Sequence, residues 1–184
     1  AAGIFQKLLD RRREVPDGIR ARALMGKGAI AIRRADSMSA EAHYAQALVV
    51  LEASAEQKDD PALIGHAYNG RGVARIQQGK MQEAVSDLGM ARIAMQRSGS
   101  LVDAAAVGVN LALIEVQRGH YAQALQEFDR AIAVFERFEV RDYLAAALMG
   151  KANTQLKLAQ PADAAASIQR TDALSKSLKD DDLA

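Results

Sequence analysis

The sequence predicts an all-α solenoid of antiparallel helix pairs, and three observations carry that prediction. The stretch from Gly65 to Gly99 reads as two helices with a break at Gln78-Gly79-Lys80, and its pattern of small and apolar residues returns before and after it. The breaks at Ala35, Gly79, Gly119 and Ala159 are 44, 40 and 40 residues apart, a period of about 40. With 4% aromatics, no Trp and abundant alanine, the chain is poor material for a core of large side chains and suits helices packed closely in series.

Taken in order, residues 1–14 place Ile4, Phe5, Leu8 and Leu9 at helical spacing with Arg11, Arg12 and Arg13 at the C-terminal end, where cations complement the helix dipole. They read as a lone leading helix. Four pairs follow, over 17–57, 61–98, 101–138 and 141–179. Pro16, Pro61 and Pro161 all fall where a helix opens, so no helix interior is broken by proline. The last helix is polar on more of its circumference, through Ser167, Gln169, Arg170, Ser175 and Lys176, as the end of a stack must be. The whole of 1–184 is expected to be one solenoid, cut from a larger protein.

Inside the central pair, Gly70 and Gly72 each cost roughly 1 kcal/mol against alanine in a helix. Close helix approach offsets that cost: Gly72 has no side chain and Ala84 only a methyl. The strongest internal match is ALMGKG at 23–28 against ALMGKA at 147–152, which lies 124 residues on.

A fixed period of helix pairs with small residues at set positions marks a helical repeat protein. The blocks resemble the tetratricopeptide repeat (TPR) family at Gly28, Gly72, Ala112 and Ala152 in the first helices and at Ala40, Ala84, Ala124 and Ala164 in the second. Tyr44, Leu88, Phe128 and Ile168 fall on the family's large apolar position, and RGHYAQALQEFDRAIAVFER at 118–137 is the best single match. The period exceeds that family's usual length of about 34 residues. In this respect the chain looks like the longer repeats of large bacterial transcriptional activators and of some eukaryotic scaffold proteins. Lys27, Arg71 and Lys151 depart from the family by standing at a position that is usually apolar.

The resemblance implies a right-handed superhelical solenoid with a concave groove lined by the first helix of each pair. Met25 and Ile32 would face it from the first pair, and His66, Asn69, Val73 and Ile76 from the second. Val109, Leu113 and Val116 would continue it, and Met149, Asn153 and Leu156 would end it. Ile32, Ile76, Val116 and Leu156 then form an aliphatic column suited to an amphipathic helix or extended apolar peptide. The same residues could instead pack on one another or on a segment of the chain itself. Lys27, Arg71 and Lys151 could form an anion-binding ladder, or could lie along apolar surface and pair with acids such as Glu41, Glu83 or Asp87.

Composition narrows the function. A formal charge of +1, from 24 basic and 23 acidic residues, argues against nucleic-acid binding, which needs a cationic excess on one face. Without cysteine there is neither a disulfide framework nor a thiolate metal site, which fits the cytoplasm and is compatible with the periplasm. No apolar run reaches the roughly 20 residues that span a bilayer. His43, His66 and His120 lie in different pairs without a second ligand at metal spacing, and no glycine-rich phosphate loop is present. The chain therefore reads as a protein-binding scaffold, not an enzyme, with no cofactor, no metal and no membrane partner. Two other readings stand beside it: a sensor or oligomerisation module of a larger regulator whose groove is filled by its own segment or a small ligand, and a homodimer formed through residues 4–9.

Overall fold

The computed structural model describes residues 15–54 and 60–181, and of 177–181 the backbone alone. The predicted leading helix at 1–14, with its apolar dimer face, lies outside the described residues, as does the stretch 55–59. Among the described residues there are eight helices and no strand: α1 Asp17–Arg33, α2 Ser37–Ala53, α3 Pro61–Gln77, α4 Met81–Arg97, α5 Leu101–Gln117, α6 Tyr121–Arg137, α7 Arg141–Lys157 and α8 Pro161–Asp181. The fold class is the all-α, paired-helix class that the sequence predicts.

The period has a simple origin. From α3 onward each helix up to α7 is 17 residues long, and successive helices are joined by three residues. The middle residue of every such joint is left-handed: Ala35, Gly79, Gly99, Gly119, Glu139 and Ala159 have φ between 55° and 80°. That conformation lets the residue after it return to the helix it leaves, as when Lys80 N–H donates to the Arg75 carbonyl at 2.9 Å. Glycine adopts it freely, whereas Ala35, Glu139 and Ala159 carry a steric cost of about 1 kcal/mol each. At the other helix ends, Asp36 and Asp60 cap α2 and α3 by accepting from the Ser39 and Leu63 amides at 3.1 and 3.0 Å.

The chain divides into two compact units, Ala1–Ser100 and Leu101–Ala184. In the first, α1 packs on α2 and α3 on α4, with α2 against α3 and α1 beside α3. Ala21, Ala47, Leu48, Leu51, Leu63 and Ala67 form its main core, and Ala31, Ala40 and Ala74 a second one. The helical glycines explain themselves here. A Cβ on Gly72 would meet Leu88 Cδ2 at 3.0 Å, and one on Gly28 would stand 2.6 Å from Tyr44 Cε2. Gly70 presses on the other edge of the same tyrosine ring, so the ring lies between two bare backbones.

In the second unit α5 packs on α6, α6 on α7 and α7 on α8, and α5 lies beside α7. Its core is richer in large side chains: Phe128, Ile132, Phe135, Leu144 and Leu148 around Ala112, Ala124 and Ala147. Gly150 receives Phe128 as Gly70 receives Tyr44, for a Cβ there would stand 2.5 Å from the ring. The four alanines at the start of the second helices, Ala40, Ala84, Ala124 and Ala164, are at most 1% exposed, which is why nothing larger fits.

Candidate functional site

Two sets of residues could carry function: the charged positions on the first helices, and the aliphatic stripe beside them. The charged positions are engaged. Arg71 donates from Nε and Nη2 to the two oxygens of Asp87 at 2.8 and 2.7 Å, a bidentate pair between α3 and α4. Its guanidinium also lies 5.4 Å from the centroid of the Tyr68 ring. One turn on, Arg75 reaches Glu41 on α2 and Asp87 on α4, each at 2.9 Å. Lys80 and Gln78 in the joint complete the set by donating to the other oxygen of Glu41 at 2.8 and 2.9 Å.

This network stitches three helices together. Burial pushes the Glu41 carboxyl up, but hydrogen bonds from Lys80, Arg75 and Gln78 outweigh it and hold the pKa at about 2. The hydrogen bonds to Asp87 raise the Arg71 pKa above its ordinary value. In the second unit Lys151 pairs with Asp129 of α6 at 2.6 Å. Arg71 and Lys151 are therefore held by acids of neighbouring helices, the alternative the sequence posed to an anion ladder. Asp87 is one of the acids the sequence nominates. Asp129 is not, although its place on the preceding second helix is the same relation that brings Glu41 to Arg75.

The aliphatic stripe differs between the units. In the first, Met25, Ile32, Val73, Ile76 and the polar Asn69 are half-buried, and His66 is exposed. Met25 leans on the main core and Ile32 on the Ala31–Ala40–Ala74 cluster. In the second, Val109 and Val116 are half-buried against the Phe128 core, while Leu113, Met149 and Leu156 are 41%, 42% and 53% exposed and Asn153 is exposed beside them in sequence. Because α5 and α7 lie side by side, these three side chains belong to one helical layer.

His120 sits in a joint, its Nδ1 2.7 Å from Glu115 Oε2. His43 is half-buried between α1 and α2, and its Nδ1 is buried without a hydrogen-bond partner. Burial lowers the His43 pKa, the charge of Lys27 lowers it further, and Asp36 opposes them. Among the described residues no group of three His, Asp or Glu side chains could hold a metal ion. No helix among them is long and apolar enough to cross a membrane.

No family model matches the sequence, and no curated protein matches it either. The fold has relatives among solved structures. The apo form of RapI superposes on 97% of this chain with a TM-score of 0.80 at 12% sequence identity. The chain spans 63% of RapI's length. BtubC (BKLC) from P. vanneervenii matches over 97% of this chain and 88% of its own, with a TM-score of 0.61 at 15% identity. Both neighbours are helical repeat solenoids, and RapI is TPR-like, so the fold resembles the TPR arrangement. At these identities the likeness is one of fold alone.

Proposed function

We propose that the protein is a non-enzymatic interaction scaffold that takes an amphipathic helix or extended apolar peptide of a protein partner on its first-helix layer. The observation that carries the reading is the exposure of Leu113, Met149 and Leu156 on the adjacent helices α5 and α7. About half of each side chain remains to be covered, worth roughly 1 kcal/mol apiece. The helices of this layer are already formed and packed on their neighbours, so the partner bears most of the ordering cost. The half-buried members, Val109 and Val116, form the floor; they are already held by the core and shape the surface without supplying much new burial.

An array of amphipathic peptides tests it. Wild type should select sequences with apolar anchors at i, i+3 or i+4, and i+7, as a helix laid in a groove requires. Met149→Glu and Leu156→Glu stand at exposed positions, so the fold should survive while selected peptides bind at least tenfold more weakly. Undiminished binding by both variants would remove the second unit from the proposed surface.

A further inference from the structure

In each unit two successive second helices pack on the first helix between them, α2 and α4 on α3, and α6 and α8 on α7. In the second unit an open hollow of about 390 Å³ lies there, lined by Glu136, Leu144, Arg170, Ala173 and Leu174. Arg170 of α8 closes it by pairing with Glu136 of α6. Aligning Ala40 with Ala124, Gly72 with Ala152 and Ala84 with Ala164 puts Glu52, Ile64, Met90, Ile93 and Ala94 at the same five places in the first unit.

There the acid is kept and the cation is not. Glu52 stands exposed in the last turn of α2, where Glu136 stands in α6, and Met90 replaces Arg170. The negative end of the helix dipole adds to the charge of an acid in that turn. Among the described residues Glu52 accepts from the Tyr68 hydroxyl at 3.2 Å, a neutral donor that brings no positive charge. The cations of this unit that lie on α1, α3 and the following joint are engaged with other acids: Arg20 with Asp17, Arg22 with Asp60, Arg71 and Arg75 with Asp87, and Lys80 with Glu41. On α4 itself, Glu83 in the first turn and Arg97 in the last are exposed and add one charge of each sign.

The apolar surface differs in the same direction. Val49, Met90 and Ile93 are 66%, 48% and 47% exposed, whereas the second unit has Ala133, Arg170 and Ala173 at their places. Three partly exposed side chains offer well under the roughly 800 Å² per partner that a stable dimer buries, which suits a short segment better than a second copy of the chain. We propose that the α2–α4 face of the first unit docks an amphipathic segment of a partner protein, whose apolar side chains cover Val49, Met90 and Ile93 and whose arginine pairs with Glu52. The partner then supplies the cation that Arg170 provides within the second unit. Arginine is the fitting residue because its planar fork meets both carboxylate oxygens.

The test is a peptide array on the full chain. One set of peptides carries leucine anchors at helical spacing with a single arginine at successive positions, and a second set has glutamine in its place. The best arginine peptide should bind at least tenfold more tightly than its glutamine counterpart. Glu52→Gln should erase that preference, and Met90→Arg, which rebuilds the second unit's bridge, should abolish binding. Both changes are at exposed positions, so thermal melts should match wild type. No preference for arginine, a preference that persists in Glu52→Gln, or binding unchanged in Met90→Arg would overturn the proposal. Binding that survives Met90→Arg and is lost in Leu156→Glu would assign the peptide to the α5–α7 layer instead. A dimer in light scattering that Met90→Arg disperses would assign the face to a second copy, which also overturns it.

Discussion

The second helix pair and the third solve the same packing problem with different materials. Between α2, α3 and α4 an aliphatic core that includes Leu48, Leu51, Leu63 and Leu88 is joined by the charged network of Glu41, Arg75, Asp87 and Arg71, whereas among α5, α6 and α7 the core is built on Phe128, Phe135, Ile132 and Leu148. The helix lengths and joints are the same in both. What sets helix spacing is therefore the small residues, Gly72 against Leu88 and Ala84 in one case and Ala112 among the Phe128 cluster in the other. The filling between is free to vary in chemistry. Aromatic burial supplies stability, while a buried charge network costs desolvation and gives back mainly geometry, since each arginine accepts only one arrangement of its acids.

The largest effect that would sharpen this contrast is at Phe128, which is fully buried. Phe128→Ala should cost about 3–5 kcal/mol in chemical denaturation. Gly150 then becomes informative, because a Cβ there would stand 2.5 Å from the Phe128 ring. In wild type, Gly150→Ala gains about 1 kcal/mol of helix propensity but loses about 1–3 kcal/mol to overpacking, so it should destabilise. In the Phe128→Ala background the clash is gone and the same change should stabilise. Equal effects in both backgrounds would mean that the ring does not set the need for glycine.

Next in size is the acid dependence of the charged pair. The Glu41 carboxyl has a folded pKa of about 2 against 4.5 unperturbed. A depressed folded pKa means that its stabilisation is complete above the unfolded value and is lost as pH falls from there toward about 2. The contribution is at most about 3 kcal/mol, for the side chain is only 18% exposed. Thermal melts of wild type and Glu41→Gln from pH 2 to pH 7 should converge at the acid end, separate as pH rises from about 2 to 4.5, and stay apart above that, all other carboxyls being common to both. Parallel curves would show that the network holds Glu41 no more firmly than water does.

How much of this was legible in sequence follows from range. The small residues and the large apolar position recur at fixed spacing because each must meet its counterpart on a helix one joint away, so the all-α paired fold could be read directly. The Arg71–Asp87 contact spans 16 residues within one pair and is likewise readable from the register. The bond from Arg75 to Glu41 spans 34 residues and crosses between pairs, so it depends on which faces of α2 and α3 meet. The aliphatic stripe shows the same limit. Ile32 and Leu156 occupy one register position, yet Ile32 rests on a core cluster and Leu156 is exposed, because exposure depends on the neighbouring helix and not on the residue's own place in the repeat.

The smallest expected effect separates burial from position. Arg71 and Lys151 stand at the same place in their repeats, and each meets an acid on a second helix. Arg71 is bidentate to an aspartate only 4% exposed, whereas the aspartate that meets Lys151 is 57% exposed. Arg71→Ala strips a bidentate partner from a buried carboxylate and should cost about 2 kcal/mol, part of the penalty being held down by Arg75. Lys151→Ala breaks a solvated pair and should cost below about 0.5 kcal/mol. Salt gives an independent check, because 0.5 M sodium chloride screens exposed pairs strongly and buried ones weakly. The small Lys151→Ala effect should vanish in that salt while most of the Arg71→Ala effect remains. If the two substitutions instead cost the same and screen alike, the repeat position governs these pairs, and the distinction between a charge-stitched unit and an aromatic one fails at its weakest contact.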